Sequence, residues 1–92
     1  MLLAIDVGNS NTTLGVYKED KLIADWRIRT QSGQTADEYG LIISNLFDLS
    51  DLSFNDLHGI AISNVVPPTA SALIGFCRRY AKIEPFVIDA SD

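Results

Sequence analysis

Asp6-Val7-Gly8-Asn9-Ser10-Asn11-Thr12-Thr13 combines one carboxylate, one glycine and a run of short side chains bearing amides and hydroxyls. It lies between the apolar runs Leu2-Leu3-Ala4-Ile5 and Leu14-Gly15-Val16-Tyr17, both of which read as strands. The segment between them is then a tight hairpin. Its backbone N–H groups and hydroxyls can face an anion, and Asp6 is placed to hold a divalent cation. Phosphate chemistry needs both parts: donors for the oxygens and a metal to offset their charge. A plain turn would use the same residue types, because Asn and Ser favour turns and an acid can cap one.

The elements that must position this hairpin follow from the hydrophobic pattern. Leu2 to Ile5 is continuously apolar, as expected of a central strand covered on both faces. Thr12 to Tyr17 is the second strand, followed by the polar break Lys18-Glu19-Asp20-Lys21. Leu22 to Arg29 alternates, with Leu22, Ala24, Trp26 and Ile28 on one face and Ile23, Asp25, Arg27 and Arg29 on the other, as in a half-exposed edge strand. Short links make these three an antiparallel meander. Thr30 to Gln34 reads as a polar loop. Thr35-Ala36-Asp37-Glu38 reads as a capping box, opening a helix with the stripe Tyr39, Ile42, Ile43, Leu46 and Phe47.

Asp48 to Asp56 reads as a linker anchored by Leu49, Leu52 and Phe54. Gly59 to Ile62 is a fourth strand that ends in Ser63-Asn64 and is stopped by Val65-Val66-Pro67-Pro68. Pro68 suits the first turn of a second helix, whose buried stripe would be Leu73, Phe76, Cys77 and Tyr80. Pro85 to Asp89 is a fifth strand. With helices as crossovers, the last two strands should run parallel to the first through right-handed connections.

The 92-residue chain is long enough for one modest core. Acids outnumber bases 12 to 7, a net charge of −5, which disfavours a nucleic-acid binder. Cys77 is the single cysteine. That rules out an internal disulfide, suits a reducing compartment and fits a small core residue. The N-terminal apolar run is too short and lacks the basic lead-in of a signal peptide, and nothing approaches the ~20 apolar residues of a membrane span. A cytoplasmic protein is the expectation. His58 reads as a solvent-facing residue, and Trp26 and Tyr39 as packing. Arg27, Arg29, Arg78 and Arg79 read as surface charges, and Asp37 and Glu38 as acids favoured in a helix first turn.

The order strand, strand, strand, helix, strand, helix, strand is that of the ribonuclease-H-like half-domain of actin, sugar kinases and Hsp70 ATPases. There an Asp-x-Gly turn in the first hairpin binds phosphate, and Asp6-Val7-Gly8 matches it. The longer string Asp6-Val7-Gly8-Asn9-Ser10-Asn11-Thr12 is more specific. So are Trp26-Arg27-Ile28, Thr35-Ala36-Asp37-Glu38-Tyr39 and Ile62-Ser63-Asn64-Val65-Val66-Pro67. Together they resemble the N-terminal part of type III pantothenate kinases, with Asn64 where that family shows serine.

The resemblance implies an α/β ribonuclease-H-like half-domain with a mixed five-stranded sheet, three strands antiparallel and two parallel, with crossover helices. It implies ATP-dependent phosphorylation of pantothenate in coenzyme A synthesis, with Mg²⁺, a monovalent cation (K⁺ or NH4⁺), a cytoplasmic location and a homodimer. The carry-over to this chain is the phosphate loop Asp6, Val7, Gly8, Asn9, Ser10, Asn11, Thr12 and Thr13, with Asp6 as the metal and phosphate-positioning acid. Family members are well over twice as long. Residues 1–92 are therefore expected to be the N-terminal half-domain of a two-domain kinase, inactive alone, with the pantothenate contacts and the general base beyond Asp92.

Two alternatives come from other classes. A ribonuclease-H-like nuclease or resolvase would also carry an acid on the first strand, but it needs another near the end of the fourth to hold two metals. That end reads Ile62-Ser63-Asn64. A non-catalytic, dimerising half-domain is the other.

Overall fold

The computed structural model describes residues 1–64 and 66–89. Val65 and 90–92 lie outside the described residues, so the strand-stopping role expected of Val65 is not among the observations. The elements run β1 (Leu2–Val7), β2 (Asn11–Lys18), β3 (Lys21–Arg29), α1 (Ala36–Leu49), β4 (Gly59–Asn64), α2 (Pro67–Phe76) and β5 (Phe86–Asp89). They form one sheet of order β3-β2-β1-β4-β5. β1 pairs antiparallel with β2, and β2 with β3. β4 pairs parallel with β1, and β5 with β4. This is the mixed ribonuclease-H-like sheet expected from the sequence.

The core lies on one face of the sheet. Leu3, Ile5 and Val7 of β1, Leu14 and Val16 of β2, and Ile60 and Ile62 of β4 are buried beneath Tyr39, Ile43 and Phe47 of α1 and Leu73 and Phe76 of α2. Burying each such large apolar side chain stabilises the fold by roughly 1.5–3 kcal/mol. An aromatic chain crosses this layer: Trp26 to Phe47 at 5.6 Å, Phe47 to Phe54 at 4.8 Å and Phe54 to Phe76 at 5.6 Å between ring centroids. Trp26 and Tyr39 are thus packing residues, as expected. The capping box closes in both directions: Glu38 N–H donates to Thr35 Oγ1 at 3.1 Å, and Thr35 N–H to Glu38 Oε1 at 2.8 Å. Pro67 and Pro68 both sit in the first turn of α2.

The structure corrects four sequence expectations. β1 is central, but the described residues cover only one of its faces: Leu2 is exposed and Ala4 half-buried. Leu22 leaves the face of Ala24, Trp26 and Ile28. A register irregularity between Val16 and Tyr17 pairs Tyr17 with Leu22 while Val16 pairs with Ala24. The extra residue, Ile23, flips the alternation, as a bulge does. Leu49 is no anchor. It is 81% exposed at the end of α1, two residues past Phe47 and off the buried stripe, and Leu52 and Phe54 pack instead. Tyr80 leaves the stripe of α2. A π-helical turn over Cys77–Ala81 widens the helix end, so Ala81 is buried while Tyr80 is 40% exposed.

Candidate functional site

Only Gly8, Asn9 and Ser10 separate β1 from β2. Gly8 N–H donates to the Asn11 carbonyl at 2.9 Å and closes the turn. A Cβ at Gly8 would lie 3.1 Å from that carbonyl oxygen, so the glycine admits this close crossing. The Asn9 and Ser10 amides have no acceptor among the described residues. Asn9, Ser10 and Asn11 are exposed at the tip. The turn therefore presents two free N–H donors and short polar side chains to solvent, an arrangement that suits an anion.

Register sorts the eight expected site residues by face. Val7 and Thr12 pair with each other and point into the core. Asp6 and Thr13 pair on the opposite, open face and are exposed. Ser63 of β4 lies beside Asp6, and Arg27 of β3 beside Thr13, so Arg27, Thr13, Asp6 and Ser63 form one cross-strand row. The next row toward the turn holds Arg29 opposite Asn11. Two arginines that the sequence offered as surface charges thus share a face with Asp6 and the turn. Below this row is a shallow depression of about 280 Å³ lined by Asp6, Thr13, Gly15, Tyr17, Leu22 and Asp25, among others.

Thr30 is the residue that sequence reasoning missed. It lies one position beyond β3, where Arg29 opposite Asn11 brings the chain alongside the turn. Its N–H donates to the Ser10 carbonyl at 3.0 Å, and its hydroxyl donates to the Gly8 carbonyl at 2.8 Å. Thr12 Oγ1 lies 2.9 Å from Thr30 Oγ1. A hydroxyl has one proton, and Thr30 gives its own to Gly8, so Thr12 is the donor in that contact. The 1%-exposed Thr12 hydroxyl is thereby committed inside the protein.

Asn64 ends β4 beside Val7 and is 6% exposed. Its Oδ1 accepts from Val66 N–H at 2.7 Å, while its Nδ2 has no partner among the described residues. His58 is exposed, with Nδ1 2.7 Å from the Met1 amine. Arg78 pairs with Glu84 at 2.7 Å and Arg79 with Asp37 at 2.9 Å. Among the described residues no three His, Cys, Asp or Glu side chains converge as a metal cage; Asp6 is the acid next to the turn, and Asp25, opposite Gly15, lines the same depression farther from it. Mg²⁺ usually keeps several waters and binds through one or two carboxylates plus substrate phosphates. An exposed aspartate beside free amides fits that habit.

A family model for type III pantothenate kinase matches residues 2–92. The chain belongs to that family. It is 49% identical over 88 residues to the type III pantothenate kinase of Citrifermentans bemidjiense, covering 96% of this chain and 35% of that protein. The enzyme of Halalkalibacterium halodurans is 46% identical over the same length, with the same coverage of each chain. The chain thus spans about a third of the length of the curated relatives it matches. Among solved structures, a Ppx/GppA phosphatase of Aquifex aeolicus superposes with a TM-score of 0.55 at 13% identity, covering 95% of this chain and 35% of that one. That likeness speaks to the fold alone and agrees with the ribonuclease-H-like sheet.

Proposed function

We propose that this chain forms the nucleotide-phosphate half of an enzyme that uses ATP to phosphorylate pantothenate to 4'-phosphopantothenate, the first step of coenzyme A synthesis. The observation that carries the reading is the family match along residues 2–92. The geometry of the first hairpin supports it. The Asn9 and Ser10 amides would donate to ATP phosphate oxygens, with the Asn11 and Thr13 side chains as neighbouring donors. Arg27 and Arg29 would add positive potential on the same face. Asp6 would hold Mg²⁺ directly or through water, and the ion would offset phosphate charge. The reaction is in-line transfer. The pantothenate hydroxyl oxygen bonds the γ-phosphorus, the bond to the β,γ-bridging oxygen breaks, ADP leaves, and a carboxylate takes the hydroxyl proton.

That carboxylate, the pantothenate contacts and the monovalent-cation site have no assigned residue in this chain. We place them in polypeptide corresponding to the remaining two thirds of the relatives, with ATP in a cleft between two half-domains. A homodimer and a cytoplasmic setting complete the proposal. Among the described residues no helix is long and apolar enough to cross a membrane. The nuclease alternative shares the acid on the first strand but is disfavoured by the position beside Asp6 on β4, which is Ser63, where a two-metal site would want a second carboxylate.

The test is ADP formation measured with and without pantothenate. The protein containing this chain should turn over ATP only with pantothenate, and the 92-residue chain alone should not. Metal-dependent DNA cleavage without ATP turnover by the containing protein would overturn the kinase reading. Pantothenate-dependent turnover by the isolated chain would overturn the division of labour.

A further inference from the structure

The geometry points to Thr30 as a positioning residue that aims the Asn9 amide at the phosphate, and this rests on the phosphate-loop reading above. Within the turn, the bond from Gly8 N–H to the Asn11 carbonyl fixes the peptide before Gly8, but no bond within the turn holds the Gly8–Asn9 peptide. Thr30 does so from outside the turn. Its hydroxyl holds the Gly8 carbonyl at 2.8 Å and its N–H holds the Ser10 carbonyl at 3.0 Å. In a trans peptide the C=O and the following N–H point in opposite directions. Pulling the Gly8 oxygen toward Thr30 therefore turns the Asn9 N–H away from Thr30. That amide has no acceptor among the described residues.

The pin is itself oriented. Thr12, buried on the core side of β2, donates to Thr30 Oγ1, and this leaves the Thr30 proton for Gly8. The chain Thr12 O–H to Thr30 O–H to Gly8 C=O runs one way, from the core to the turn. Removing the Thr30 hydroxyl frees the Gly8 carbonyl to rotate toward solvent and takes the Asn9 donor with it. Removing the Thr12 hydroxyl leaves the Thr30–Gly8 bond in place but less well aimed.

The experiment is a titration of the ¹⁵N-labelled protein containing this chain with magnesium tripolyphosphate, following the Asn9 and Ser10 amides and measuring the thermal midpoint of each variant. Wild type and Thr30→Ser are expected to bind alike. Thr30→Val should bind about ten-fold more weakly, the factor set by one hydrogen bond to a charged group. Thr30→Ala carries the same expectation should valine not fold. Thr12→Val should fall between. A merely structural role predicts the opposite order, because Thr12 is the more deeply buried of the two, and it predicts lowered midpoints with unchanged affinity. Wild-type affinity in folded Thr30→Val or Thr30→Ala overturns the inference while leaving the phosphate loop standing. Wild-type Asn9 and Ser10 amides that do not respond to the ligand overturn the phosphate-loop reading itself, and this inference with it.

Discussion

Asp6 and Cys77 both carry groups that could react, and their surroundings set them apart. Cys77 is completely buried at the end of α2, and burial, reinforced by the charge of Glu84, pushes its thiol up to about 12. The thiolate is the reactive form. Cys77 should therefore resist thiol reagents at pH 8 in the folded chain and react only after denaturation, which a timed labelling experiment reads directly. Asp6 is exposed on the open face beside Thr13 and Ser63. Asp6→Asn keeps size and shape but removes the charge. In the protein containing this chain it should lower turnover by on the order of 100-fold or more with an unchanged thermal midpoint, and near-normal turnover would refute the metal role. The burial of Cys77 was legible in the sequence from its helical stripe, and Asp6 was marked as the candidate acid by its place two residues before a glycine. Thr12 was only half legible. Its type suited a phosphate donor, but alternation along β2 turns its hydroxyl inward, where Thr30 receives it.

At the scale of elements, the contact between α1 and the π-turn after α2 shows how one side chain can depend on another element's glycine. The Tyr80 ring lies against Gly40, where a Cβ would come within 2.7 Å of Tyr80 Cδ2. Its hydroxyl donates to Asp37, which Arg79 also meets. The bond from Tyr80 and then that from Arg79 hold the Asp37 carboxyl below its ordinary value of 3.8. A depressed folded value means this contribution is present above pH 3.8 and fades as pH falls through the lower folded value. Asp37→Asn should remove that part of the acid sensitivity in a pH series of thermal midpoints. Gly40→Ala should cost about 1–2 kcal/mol through overpacking against Tyr80. In a Tyr80→Ala background the same change should instead stabilise, by up to about 1 kcal/mol, because alanine is the better helix former. A double-mutant cycle in urea that shows no sign change would refute the packing account.

At the scale of the molecule, both helices pack on one face of the sheet and leave the other open. Leu2, Leu22, Phe86 and Ile88 are exposed there, Phe86 at 69%. β5 is a sheet edge whose Phe86, Val87 and Ile88 are all exposed. Exposed apolar patches and unpaired edges promote association. The 92-residue chain should therefore self-associate with rising concentration in sedimentation velocity, and Phe86→Lys with Ile88→Lys should suppress it. A monomer at all concentrations would show that the open face is tolerated by itself.

The amino-acid sequence alone determined which segments are strands and helices, where α1 begins, and that an acid near the end of β1 is followed by a glycine in the first turn. These follow from side-chain periodicity, capping and turn preferences, which act over a few residues. Only the tertiary structure decided that Leu22 faces the open side, that Tyr80 leaves its stripe, that Arg27 and Arg29 join the face of Asp6, and that Thr30 holds the turn from outside. Each of those depends on strand register, on a bulge or on a widened helix end. Such features are settled by contacts between segments distant along the chain, where no local pattern carries the signal.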